Sequence, residues 1–154
     1  MVNIEEKIFL ARVAEQAERY DDMVDFLTEV LKVKGQSVNA DERNLLSVAF
    51  KNLISSKRAA CRTILAIEQN PKYAKFNDAL LQYKSKIEGQ LQADCEKIIE
   101  IIKTHVLSTD ASPDAKAFFV KMTGDYYRYI AENAKGDNLE DVKKKAKVAY
   151  EEAE

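Results

Sequence analysis

Lys51, Arg58 and Arg62 are the residues from which chemistry is most readily built. On an α-helix that turns ~100° per residue, Arg58 falls about 20° to one side of Lys51 and Arg62 about 20° to the other, so three cations form a single file. Ala49, Leu53, Ala60, Ile64 and Ile67 fall on the far side of that helix, and Lys57 points away from the file. Lys121, Asp125, Arg128 and Glu132 make a second file, flanked by the hydroxyl of Tyr129, with Phe119, Tyr126 and Ile130 opposite. If the two files converge, Lys51, Arg58 and Arg128 surround one anion. Forked guanidinium donors suit an oxyanion bidentately, a lysine adds a point charge and a tyrosine a neutral hydrogen bond. Spacing alone leaves blander readings open. Lysine and arginine account for 24 of 154 residues, so such files are commonly solvated faces. Lys121 with Asp125 and Arg128 with Glu132 equally fit i,i+4 ion pairs of ~0.2–0.5 kcal/mol each.

The elements that must position these residues read as long helices. Only 4 Gly and 2 Pro interrupt a chain that is 46% hydrophobic and large enough for one core. A first helix is expected from about Ile4 to Arg19 and a second from Asp21 to Val33, closed near Gly35. Asn39 with Glu42 three residues on reads as a capping box, opening a third helix that continues to Gln69, before Asn70-Pro71. A fourth runs from Phe76 to Leu107, with Leu80, Ile87, Leu91, Cys95, Ile98 and Ile102 as its buried stripe. Ser112-Pro113 caps and opens a fifth that reaches Asn133. Gly136-Asp137-Asn138 restarts the chain in a sixth, with apolar positions at Val142, Ala146, Ala149 and Tyr150. Residues 1–154 thus read as a single all-α domain that stops within its last helix and is incomplete at the C-terminus.

Composition narrows the function classes. A formal net charge of −2 and a pI near 5.6 give no general attraction to nucleic acid or an anionic membrane, so any anion site is local. Cys61 and Cys95 are far apart and outside any C-x-x-C pair, which favours reduced thiols over a zinc site or disulfide framework. No apolar run approaches the ~20 residues of a membrane span, and Glu5, Glu6 and Lys7 interrupt any signal-peptide core. The expected location is the cytoplasm. No carboxylate cluster, no cysteine beside a base and no glycine-rich phosphate loop points to a metal, a cofactor or a catalysed reaction. His105, the single histidine, has no partners nearby in the sequence that would make it catalytic.

Three stretches carry a family resemblance: Ala14 to Met23, AEQAERYDDM; Arg43 to Asn52 with Lys57 to Arg62, RNLLSVAFKN and KRAACR; and Gly124 to Tyr129, GDYYRY. In this order and spacing the chain resembles the N-terminal portion of the 14-3-3 family. The resemblance implies an antiparallel helical bundle, about six of whose helices are present and whose C-terminal helices are absent. It also implies a dimeric adaptor that binds phosphoserine or phosphothreonine peptides without catalysis or cofactor. The family's phosphate-binding positions match Lys51, Arg58, Arg128 and Tyr129, with Asp125 orienting the arginines and Lys121 a basic groove residue; Arg62 extends the file. A phosphoserine, with about −1.5 to −2 charges and three acceptor oxygens, suits such a set. In the family the opposite wall of the groove comes from three further helices.

The same resemblance implies a partner surface. Val13 and Ala17 match positions that pack on a second subunit at Ala60, Ile64, Ile67 and Tyr83. Glu6 with Lys75 and Asp22 with Lys86 match ion pairs across that interface, whereas Arg19 faces Gln90 where the family commonly has an acid. Partners are therefore phosphorylated proteins or peptides and a second chain, identical or related, and not nucleic acid or membrane. The alternative is a fragment that dimerises with little or no phosphopeptide binding.

Overall fold

A computed structural model of the protein describes residues 3–107, 113–133 and 136–153. It contains six α-helices: α1 (Ile4–Gln16), α2 (Tyr20–Lys34), α3 (Ala40–Glu68), α4 (Asn77–Ile102), α5 (Pro113–Asn133) and α6 (Gly136–Ala153). No strand occurs among the described residues. Each helix packs on the next in chain order, as short connections require of an antiparallel bundle.

The ends of these helices follow local chemistry. At the start of α3 the Asn39 side chain accepts from the Glu42 N–H at 2.9 Å while Glu42 accepts from the Asn39 N–H at 2.9 Å, the reciprocal bonding expected from the sequence. Lys34 completes the corner with a 2.6 Å ion pair to the buried Glu42 carboxylate. Gly35 closes α2 with φ 53°, a conformation that costs glycine little. Two boundaries differ from expectation. α1 stops at Gln16 rather than Arg19, because Glu18 adopts φ 56° and the Arg19 N–H bonds back to the Ala14 carbonyl at 2.9 Å. This is the closing geometry of glycine carried out by a glutamate, so composition gives no sign of it. α4 ends at Ile102, and residues Lys103–Leu107 continue as a wider π turn that holds half-buried His105. Ser112, expected as the cap of α5, lies outside the described residues.

One apolar cluster joins all six helices, with Phe50, Phe119, Met23, Leu27, Ile98 and Ile102 fully buried in it. Ile87, Leu91, Cys95, Ile98 and Ile102 form the buried stripe of α4, while Leu80 is half-buried. A second, smaller cluster of Cys61, Ile64 and Ile87 lies where α3 ends and α4 begins, with Ala60 and Leu80 against it. Ile67 differs from the expected core stripe of α3, being 37% exposed beyond this cluster.

Candidate functional site

The two charged files lie on α3 and α5. These helices both pack on α4, and they meet each other through side chains rather than by close backbone approach. Phe50 of α3 sets its ring edge-on to Tyr126 of α5, with centroids 6.3 Å apart, and Tyr126 in turn packs edge-on to Tyr129 at 5.5 Å. Both contacts come from the apolar side of the files, so the core fixes the spacing at which the cations face one another. Burial, and next Tyr129, push the Tyr126 hydroxyl well above the usual tyrosine range, which keeps it neutral.

Tyr129 is the common neighbour of the expected phosphate residues. The Arg58 guanidinium carbon lies 4.1 Å from its ring centroid and that of Arg128 5.5 Å away, both within cation–π range. Lys51, Lys121, Asp125 and Tyr129 line one cleft of about 270 Å³, whose other walls are Ser47, Phe118, Met122 and Tyr126. Arg58 and Arg128 thus flank the Tyr129 ring, and Lys51, Lys121 and Asp125 share the cleft that this ring lines. Arg62, the third cation of the α3 file, is exposed and does not line this cleft. Lys57 turns away as expected and pairs with Asp94 of α4.

The acids of the site behave differently from i,i+4 pairing. Glu132 reaches across to α3, where Arg58 Nη2 donates to Oε1 at 3.0 Å and Nη2 and Nε donate to Oε2 at 3.3 and 3.4 Å. Asp125 accepts a 2.5 Å hydrogen bond from the hydroxyl of Tyr150 in α6. Burial, and next this bond, push Tyr150 up to about 12. Arg128 is held above its usual pKa, first by hydrogen bonding to the Tyr129 side chain and then by nearby Tyr150. Four cations (Lys51, Arg58, Lys121 and Arg128) against two acids (Asp125 and Glu132) leave a local surplus of two positive charges. A phosphate monoester has close to that charge and opposite sign. Glu132 and Tyr150 were not expected in these roles, since both contacts join residues far apart in sequence and neither follows from helical spacing.

The residues matched to the partner surface lie elsewhere. Val13 is 46% exposed, Tyr83 is 57% exposed, and Glu6, Ala17, Lys75, Lys86 and Gln90 are also at the surface. Ile64 faces inward at 6% exposure and Ala60 is half-buried against the small cluster. Arg19 pairs within its own chain, 2.6 Å from Asp22.

The family described as 14-3-3 protein matches residues 10–154. The 14-3-3-like protein GF14-E of Oryza sativa subsp. japonica is 40% identical over 154 residues, covering 97% of this chain and 59% of the relative. The 14-3-3-like protein GF14 omega of Arabidopsis thaliana is 41% identical and the 14-3-3-like protein B of Hordeum vulgare 40% identical, each over 97% of this chain. The chain spans about 60% of the length of the curated relatives it matches.

Proposed function

Because the chain belongs to the 14-3-3 family, we propose that it binds phosphoserine- or phosphothreonine-containing segments of other proteins at Lys51, Arg58, Arg128 and Tyr129, as one subunit of a homodimer or of a heterodimer with a related chain. The observation that carries the reading is the pair of guanidiniums on the Tyr129 ring, beside a lysine-lined cleft with a local excess of two positive charges. On a chain whose net charge is −2, such a concentration has an electrostatic cost that an anionic ligand relieves. Arg58, Arg128 and Lys51 supply charge-assisted donors, Tyr129 supplies a hydroxyl, and the apolar walls at Phe118 and Met122 suit the flanking peptide. The role is to bind and hold, with no reaction, metal or cofactor assigned. The two unpaired thiols, Cys61 and Cys95, support a cytoplasmic location.

Calorimetric titration with a short peptide carrying one phosphoserine tests this. Binding should weaken as salt rises and should be absent for the unphosphorylated peptide. Arg58→Ala removes charge-assisted bonds of ~1.5–3 kcal/mol each, so affinity should fall roughly tenfold or more with helicity retained. Lys51→Glu should abolish binding. Unchanged binding by either variant would overturn the assignment. The bond of Arg58 to Glu132 favours a second reading, in which the site is internally neutralised and the chain serves for dimerisation alone. In that case the phosphopeptide gives no heat while sedimentation still reports a dimer.

A further inference from the structure

We propose that Tyr150 is a positioning residue of this anion site, holding Asp125 so that the carboxylate cannot turn onto the cations meant for the ligand. The inference rests on the phosphopeptide reading above. Asp125 lies one helical turn from both Lys121 and Arg128 and lines the same cleft as Lys51. A free carboxylate at that point is an intramolecular competitor for phosphate, since it offers the same kind of acceptor at no entropic cost of association. The Tyr150 hydroxyl occupies Asp125 Oδ1 at 2.5 Å. With one oxygen so held, the carboxylate cannot swing freely among Lys51, Lys121 and Arg128.

The backbone is arranged to permit this bond. Gly124 precedes Asp125 within α5, an interior position where glycine is a poor helix former. A Cβ there would lie 3.0 Å from Cε1 of the Tyr150 ring and 3.2 Å from Cδ1 and Cζ. The missing side chain is the space through which the ring reaches its partner. Tyr150 sits on the face of α6 that also presents buried Ala146 and Ala149, so packing of α6 on α5 sets the height of the hydroxyl. Tyr150 also acts on Arg128, whose pKa is held up first by hydrogen bonding to Tyr129 and then by Tyr150.

The test uses the 154-residue chain and the singly phosphorylated peptide. Tyr150→Phe deletes only the donor, and affinity should fall about fivefold with helical circular dichroism retained at the temperature of the titration. Gly124→Ala keeps both bonding groups but displaces the ring, and it should weaken binding in the same direction although alanine favours the helix. In a double-mutant cycle Tyr150→Phe should cost little further once Asp125→Asn is present, a coupling that a packing role would not produce. Parent-like affinity in Tyr150→Phe, or losses that simply add, would overturn the proposal while leaving the phosphopeptide reading intact. Should Tyr150→Phe fail to fold, Gly124→Ala decides by the same criterion. A parent chain that does not bind the peptide overturns both.

Discussion

The two ends of α3 lie in contrasting surroundings. Leu45, Leu46, Ala49, Phe50, Leu53 and Ile54 are buried in the cluster shared by all six helices. Past Arg58 the buried residues of this helix are Cys61 and Ile64, which pack with Ile87 of α4 in the small cluster, while Leu65 and Ile67 are exposed there, as are Leu81 and Tyr83 on the neighbouring start of α4. The first end buries six of its apolar side chains within the chain and, of its large ones, leaves only Val48 exposed. The second keeps apolar surface that its small cluster does not cover. Lys51 and Arg58 stand near the junction. The arginine is therefore held by groups of the well-packed end, the Tyr129 ring and Glu132, while the surface beyond stays available.

The largest expected effect breaks the well-packed end. Phe50→Ala removes a fully buried ring in contact with Tyr126 and should cost ~3–5 kcal/mol, read by urea denaturation. Ile87→Ala, in the small cluster, should cost nearer ~2 kcal/mol, because its surroundings can collapse toward solvent. Equal losses would erase the contrast between the ends.

The two thiols sharpen it next. Burial, and then the nearby Asp94 carboxylate, push Cys95 up to about 12, while Cys61 is raised above its ordinary 9.0, first by burial and then by Glu88. A raised thiol pKa means that the folded state keeps a proton the unfolded state has already lost. Stability from Cys95 is therefore complete below about pH 9 and is lost progressively as the pH rises toward about 12. Cys95→Ser should alter this alkaline limb, measured as urea midpoint against pH. With iodoacetamide near pH 9, Cys61 should be alkylated before Cys95, since thiolate is the reactive form.

How much of this was legible in the sequence depends on the range of each interaction. The opening of α3 was plain because Asn39 and Glu42 cap one another within a single turn. The end of α1 was not, because Glu18 takes a left-handed conformation that nothing in its residue type demands. The cation files followed from helical periodicity, and residue spacing placed Lys57 outside them. Glu132, by contrast, sits four residues from Arg128 and yet bonds Arg58 on another helix, 74 positions earlier in the chain. Tyr150 similarly read as one more apolar position of α6, and only its depth beside Gly124 turns its hydroxyl toward Asp125. Local rules gave the elements and the cations. The acids that restrain those cations depend on tertiary placement.

The smallest expected effect on stability belongs to the exposed end, and it separates surface from core most sharply. Val13 and Ile67 are 46% and 37% exposed, so replacing both by glutamate removes little buried area and should change unfolding free energy by no more than about 0.5 kcal/mol. Ile64 is unsuitable for this purpose: at 6% exposure a charge there would be forced into the small cluster and would unfold it for reasons unrelated to a partner. If Val13 and Ile67 lie in a subunit face, Val13→Glu with Ile67→Glu should shift sedimentation equilibrium from dimer to monomer while helical circular dichroism is retained, and the urea midpoint should lose its dependence on protein concentration. Each introduced carboxylate would be desolvated against apolar surface of the second subunit, and two copies of each would meet across one interface. A double variant that remains dimeric would show that Val13 and Ile67 lie outside any subunit face. One that unfolds would show that they belong to the core after all.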